Sequence, residues 1–270
     1  MRSLILLFAI SASLAVQGPA SSPAADNFFS AANGKTILVI SPHPDDDIIG
    51  CGGALAYLAG RQNRVIAVYL TSGEMGTYDA SLTPDRLRAI RKQEAAAAYQ
   101  ALNLPGVEQI WLGYPDSQLD FAPLPEIRKQ LTGIIRKSRP DIVFALDPGF
   151  TYVRYQYHDH RSAALLSADA INAAEFPLEY PELGPAFIVP NVFYFYTAEP
   201  NFHLDVSGVY ETKLSALAAN RSQFPPALYH YVADGPAPSR AALERTISVL
   251  TGSNKVEPYR RVTRNPPKSN

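Results

Sequence analysis

The sequence is poor in cysteine and carries almost no net charge. Its 270 residues contain a single cysteine, Cys51, so no disulfide can form within the chain and the core must be held together by packing. The 24 lysines and arginines nearly balance the 25 acidic residues, and no run of basic residues occurs. This balance gives no support for nucleic acid or a membrane surface as a partner. Any partner must therefore be recognised by a local site.

Residues 1–25 have the composition of a secretory signal peptide. A positively charged start is followed by a mostly apolar stretch over residues 4–16, and small residues such as Gly18 and Ala20 then offer cleavage sites. The stretch is short for a membrane helix, which needs about 20 apolar residues. We expect a secreted or periplasmic protein with no stable membrane span after cleavage. An uncleaved anchor is the alternative.

Strand-like and helix-like segments alternate along the rest of the chain. Apolar, β-branched runs predict strands at 36–41, 64–71, 108–112 and 141–146. Helical patterns occupy 48–61, 84–103, 124–137, 158–174, 210–220 and 240–250. The run 187–197 predicts a further strand, and its Pro190 indicates either an edge position or a late start.

This alternation predicts an α/β fold, a Rossmann-like open and mostly parallel sheet with helices on both faces. We expect one domain over residues 34–254. The basic, proline-containing segment 255–270 is expected to be a frayed tail.

The most informative stretch is 36–53, where the first strand runs directly into a histidine and three acids. His43 is followed by Asp45, Asp46 and Asp47. Charged groups at the end of a buried strand cost desolvation energy unless a cation or polar ligand offsets it. In open α/β sheets this edge is where ligands bind. The stretch therefore predicts half of a metal site.

Each of the next three strands also ends in a polar cluster. These clusters lie at 71–74, 113–117 and 147–160. Because the carboxyl ends of parallel strands meet at one edge of the sheet, we expect the four loops to converge on one crevice.

A histidine and a carboxylate three residues apart, such as His43 and Asp46, are good zinc ligands, although another divalent metal is possible. The dense cluster 157–161 can supply the third ligand. Two histidines and one aspartate leave coordination positions open, as in catalytic rather than structural zinc sites.

The remaining polar residues of the two clusters suggest how such a site would move protons. Asp45 is a candidate general base, and His158 is one candidate proton donor to a leaving amine. Asp159 can hydrogen-bond the second nitrogen of a histidine and fix its tautomer. Asp47 is expected to be a helix N-cap, since a carboxylate there satisfies free amides.

Five motifs follow one another along the chain: SPHPDDD at 41–47, TSGEMGT at 71–77, an Arg91-x-x-Glu94 pair, LGYPDS at 112–117 and HDHRSAA at 158–164. In this order they resemble the motifs of the PIG-L/LmbE-like family of zinc-dependent N-acetylglucosaminyl deacetylases. The resemblance covers roughly residues 35–173. It implies metal ligation by His43, Asp46 and His160, with Asp45 as general base.

The resemblance also implies roles in substrate binding. Arg91 and Asp116 fall where the family contacts the sugar, and Tyr155 falls where a tyrosine assists the carbonyl in some members. One departure is at residue 157, where the family usually has a histidine and this chain has Tyr157. Either His158 or Tyr157 would then take over the role of that histidine.

We therefore expect a zinc-dependent hydrolase that removes an acetyl group from the amide of an amino sugar, with a small-molecule or glycan substrate. Two alternatives stay open. One is another metallohydrolase, such as a phosphoesterase. The other is a degenerate carbohydrate-binding protein on the same scaffold.

Overall fold

The computed structural model describes residues 28–29, 31–149, 158–224 and 237–265. Within these residues the strands are β1 (Thr36–Ser41), β2 (Arg64–Thr71), β3 (Glu108–Tyr114), β4 (Ile142–Leu146), β5 (Asn191–Phe195), β6 (Phe202–Asp205) and β7 (Val256–Thr263). The α-helices are α1 (Asp46–Leu58), α2 (Pro84–Ala101), α3 (Leu124–Ser138), α4 (His158–Glu175), α5 (Tyr210–Ala218) and α6 (Arg240–Thr251). The predicted signal peptide at 1–25 lies outside the described residues.

The strands form one mostly parallel sheet in the order β3-β2-β1-β4-β5-β7-β6. Strands β1 to β5 are parallel, and β7 is antiparallel to both of its neighbours. The predicted α/β fold is confirmed. The strand order reverses beside β1, which places a ligand-binding crevice at the carboxyl ends of β1 and β4.

Helices cover both faces of this sheet because the strand residues alternate between two cores. Ile37 and Val39 of β1 pack into the core beneath α1, α2, α5 and α6. Leu38 and Ile40 point the other way, into the core beneath α3 and α4. None of the helices in the described ranges is long and apolar enough to cross a membrane.

Strand β5 starts late rather than lying at an edge. Pro190 comes immediately before it, and the strand pairs with β4 on one side and β7 on the other. An internal strand needs its backbone amides for pairing, so the proline must stand outside it.

The expected N-cap role of Asp47 is wrong. Helix α1 begins at Asp46, and the Asp47 carboxylate accepts hydrogen bonds from the hydroxyls of Tyr69 at 2.6 Å and Tyr99 at 2.8 Å. Two buried hydroxyl groups need an acceptor, and Asp47 supplies it.

The expectation of a frayed tail from residue 255 is also wrong, because residues 256–263 form β7. Helix α1 kinks at Cys51, which leaves amide groups free within the helix. Glu257 of β7 accepts hydrogen bonds from the amides of Gly53 at 2.6 Å and Ala54 at 2.9 Å. The buried Lys213 ammonium also lies 2.6 Å from Glu257. Strand β7 is therefore part of the domain.

Candidate metal centre and substrate cavity

Three ligand-type side chains from two distant parts of the chain meet at the crevice. His43 Nδ1 lies 3.2 Å from Asp46 Oδ2, and His160 Nε2 lies 3.3 Å from the same oxygen. All three side chains are buried. One ligand atom from each lies within 4.8 Å of the others. The structure thus brings together the three predicted ligands, from the loop after β1 and the first turn of α4.

The spacing of these atoms fits a metal ion. Zinc lies about 2.0–2.2 Å from nitrogen and oxygen ligands, so neighbouring ligands of a tetrahedral site are about 3.3–3.6 Å apart. The separations of 3.2 and 3.3 Å are close to that range. The group could bind a metal, and three protein ligands would leave a position for water or substrate.

Two further carboxylates contact the ring nitrogen of His43 that does not face Asp46. This nitrogen, Nε2, lies 3.1 Å from Asp116 Oδ1 and 3.2 Å from Asp159 Oδ2. Asp159 thus lies where its carboxylate can accept a hydrogen bond from this histidine nitrogen. Asp159 is itself held by the backbone amides of Ser117 at 2.7 Å and Leu119 at 3.0 Å. Such partners orient a metal-binding imidazole and leave its other nitrogen free to ligate.

The trio His43, Asp116 and Asp159 also has the spacing of a metal-binding group. It shares its imidazole with the first group, and both oxygens of Asp159 already accept backbone amides. We therefore interpret this trio as the support of His43, and the centre as one for a single metal ion.

The charges of the centre favour a cation. Burial by itself would raise the pKa of Asp46, but the nearby His160 outweighs it and lowers that pKa far below the ordinary value. Burial would raise the pKa of Asp116 too, but the hydrogen bond and charge of His43, the Met75 amide and Arg91 together outweigh burial and lower this pKa. Both carboxylates are thus ionised at neutral pH.

Asp45 lies beside the three ligands but is not one of them. Burial raises the pKa of its carboxyl to about 6, although Arg91, whose Nη2 lies 3.1 Å from Asp45 Oδ2, opposes the shift. A carboxylate with such a pKa can accept a proton and later release it near neutral pH. This position and charge are what a general base requires.

Arg91 is buried rather than part of a solvated helix face, with 3% of its surface exposed. Besides Asp45, its guanidinium donates to the backbone oxygens of Gly73 at 2.8 Å and Pro44 at 3.1 Å. It joins the loops after β1 and β2 and holds the candidate base in place. It also lines the substrate cavity, where the predicted sugar contact would be made.

Tyr196 is a site residue that the sequence did not single out. Its hydroxyl donates to Asp46 Oδ1 at 3.1 Å, and its ring stacks on His160 with the centroids 6.0 Å apart. It follows β5 at the same edge of the sheet. That position is the only sequence signal that could have found it, and 15 tyrosines in the chain make the residue type uninformative.

His158 does not reach the centre, so its predicted role as proton donor is not supported. Its side chain is 69% exposed, and Nδ1 lies 3.4 Å from Asp120 Oδ2. Residues two apart on a helix point in different directions, so His158 faces outward when His160 faces inward. Tyr155 and Tyr157 lie outside the described residues.

The centre lies in a cavity of about 640 Å³. The inner part of its wall contains the centre with Asp45, Arg91 and Asp116. The outer part is formed by the loop after β2, residues 222–224 and helix α6. This volume is within the range of about 300–1,000 Å³ that is usual for small-molecule sites.

Together the fold and the site define an α/β protein with a candidate single-metal centre and a substrate cavity at the switch point of its sheet. A family model described as GlcNAc-PI de-N-acetylase (PIG-L) matches residues 38–171. The chain belongs to the PIG-L family.

Two curated relatives and one solved structure show the extent of the similarity. A diacetylchitobiose deacetylase of Thermococcus kodakarensis is 36% identical over 197 residues, which cover 71% of each chain. A probable N-acetyl-alpha-D-glucosaminyl L-malate deacetylase 2 of Bacillus anthracis is 28% identical and aligns over 71% of this chain and 83% of its own. The structure of N,N'-diacetylchitobiose deacetylase from Pyrococcus horikoshii matches with a TM-score of 0.74 and 32% identity, over 88% of this chain and 87% of that chain.

Proposed function

We propose that this protein is a zinc-dependent hydrolase that removes the acetyl group from the amide of an N-acetylated amino sugar or glycoconjugate. The observation that carries the proposal is the buried group of His43, Asp46 and His160 with the unliganded Asp45 beside it in one cavity. The deacetylase relatives, one of them 36% identical, support the same reaction.

Each residue of the site has its own role in the proposed amide hydrolysis. The two histidines and Asp46 would hold the zinc ion, whose Lewis acidity would polarise an amide carbonyl and lower the pKa of water. Asp45 accepts the proton of the attacking water, and Arg91 holds its carboxylate in position. Asp45 then returns the proton to the leaving amine, since the outward-facing His158 does not line the cavity. Asp159 and Asp116 keep the His43 ring oriented throughout.

The purified, zinc-loaded protein tests this proposal when it is offered N-acetylglucosamine, diacetylchitobiose and N-acetylglucosamine glycosides. We expect free amine and acetate to be released in equal amounts from at least one of them. Binding without release would instead indicate a carbohydrate-binding protein. Release of phosphate from a phosphoester, with no amine from the sugars, would indicate a phosphoesterase.

The chain is further proposed to be exported, as a secreted or periplasmic protein. The positive residue at the start, the apolar stretch 4–16 and the small residues after it support this proposal. Expression of the full chain in a bacterial host, with fractionation and amino-terminal sequencing, tests it. An exported protein that begins after about residue 18–25 is expected. Retention of the intact chain in the cytoplasm would contradict it.

A further inference from the structure

Helix α6 forms one side of the cavity. This side is more apolar than the floor around the metal centre. Arg245, Thr246, Val249 and Leu250 line it from this helix. Arg245 and Val249 are four residues apart, as are Thr246 and Leu250, so the four side chains form one continuous face. The helix is anchored by Leu243 and Ile247, which are buried in the core and lie next to Leu250 on the helix surface.

Arg245 is the one charged side chain on the outer wall among the described residues that line the cavity. The other charged or titratable lining residues all belong to the floor around the metal centre: His43, Asp45, Asp46, Arg91, Asp116 and His160. The rest of the outer wall is neutral, and Met75 and Val249 expose apolar surface there, 54% and 46% respectively.

Arg245 also differs from its neighbour on the same helix. Arg240 is paired with Glu211 and Glu244, at 2.9 and 2.8 Å. No acid of the described residues pairs with Arg245, which is exposed on the cavity side. An arginine presents a planar fork of N–H donors that suits carboxylate and phosphate groups, and within the described ranges no carboxylate occupies the fork of Arg245.

We infer that Arg245 selects substrates whose amino sugar carries an anionic group, a carboxylate or a phosphate, in its anomeric substituent. This inference rests on the proposed function, which places the acetamide at the metal centre on the cavity floor. The part of the substrate beyond the sugar then extends along α6 toward the exposed rim. An anion there meets Arg245 and stays away from Asp45, Asp46 and Asp116 on the floor.

Three N-acetylglucosamine derivatives test the inference: the methyl glycoside, the carboxymethyl glycoside and the 1-phosphate. The quantity measured is the ratio of kcat/KM for each anionic compound to that for the neutral methyl glycoside. We expect the ratio to exceed one in the wild type. It should fall about tenfold in Arg245→Gln, as expected for the loss of one charge-assisted hydrogen bond. Arg245→Glu should lower it further.

Arg240→Gln is the matched control, since it removes the same charge from the same helix outside the cavity. It should leave the ratio unchanged. Carboxymethyl and phosphate substrates distinguish which anion the site prefers. The inference is overturned if the wild type uses neutral and anionic compounds equally, or if Arg245→Gln leaves the ratio as it was. Failure of the proposed function gives a different result, in which the wild type releases no amine from any of the three.

Discussion

The hydroxyl of Tyr196 donates a hydrogen bond to Asp46 Oδ1 at 3.1 Å, while the other oxygen of this carboxylate faces His43 and His160. The carboxylate is thereby divided between two tasks. One oxygen is held by the tyrosine, and the other is directed at the position that a metal would take. Partners of this kind fix the orientation of ligands and strengthen metal binding.

Tyr196→Phe is therefore expected to weaken zinc binding about tenfold or more, the effect typical of losing an outer-layer partner. Titration with zinc against a chromophoric chelator measures the affinity. Tyr57→Phe is the control, because its hydroxyl donates to the backbone oxygen of Asp205 instead. Equal affinities of Tyr196→Phe and the wild type would show that the tyrosine does not hold the ligand.

Asp45→Asn tests the assignment of the base. The variant keeps the three ligands and the fold, but an amide cannot accept the proton of water. We expect kcat to fall about 100-fold or more, with zinc content and unfolding temperature close to those of the wild type. Asp85→Asn, which alters an exposed acid in α2, should keep full activity. An active Asp45→Asn protein would refute the assignment.

Glu257→Gln probes the contact between β7 and the kinked helix. The change leaves the fully buried ammonium of Lys213 without a counter-ion. Breaking a buried ion pair in this way costs about 3–5 kcal/mol of unfolding free energy. Glu108→Gln breaks the exposed pair with Arg64 and should cost less than about 1 kcal/mol. Chemical denaturation measures both, and equal losses would mean that β7 contributes little.

Asp147 at the end of β4 makes the stability depend on pH. Arg260 of β7 donates from Nε to both of its oxygens, at 2.9 and 3.1 Å. Burial alone would raise the pKa of Asp147, but Arg260, together with hydrogen bonds from Thr197 and the Gly149 amide, outweighs burial and lowers the pKa. The ionised carboxylate thus stabilises the fold fully above about pH 4, and this contribution disappears as the pH falls through the folded-state pKa.

Asp147→Asn should accordingly be less stable than the wild type at neutral pH, and the difference should shrink below about pH 4. Denaturation curves recorded between pH 7 and pH 3 measure this. A difference that stays constant over the whole range would show that the ionisation of Asp147 does not contribute.

The parts of the structure that were predictable from the sequence are those that short, continuous segments of the chain determine. Apolar runs and helical periodicity specify β1 to β4 and the helices between them, and parallel pairing then brings the polar strand ends to one edge. His43 and Asp46 could be assigned because they follow a strand directly. The expected third ligand, His160, could be assigned by resemblance, and its meeting with them is a consequence of that topology.

The features that the sequence did not predict depend on contacts between residues that are far apart in the sequence. Tyr196 meets Asp46 across 150 positions, and Glu257 meets Gly53 across 204. No local pattern encodes such pairs, so the residue types of a tyrosine at a strand end and an acid in a basic tail did not identify their partners. The outward position of His158 has a local cause. His158 and His160 are two positions apart, and a helix directs side chains at this spacing to different sides.

Acetate release by the purified protein, before and after removal of its metal, tests the central claim most directly. The account predicts that the protein releases acetate from an N-acetylglucosamine substrate, that chelation abolishes the release, and that about one equivalent of zinc restores it. Undiminished release by protein shown to be free of metal would contradict a catalytic role for the group of His43, Asp46 and His160.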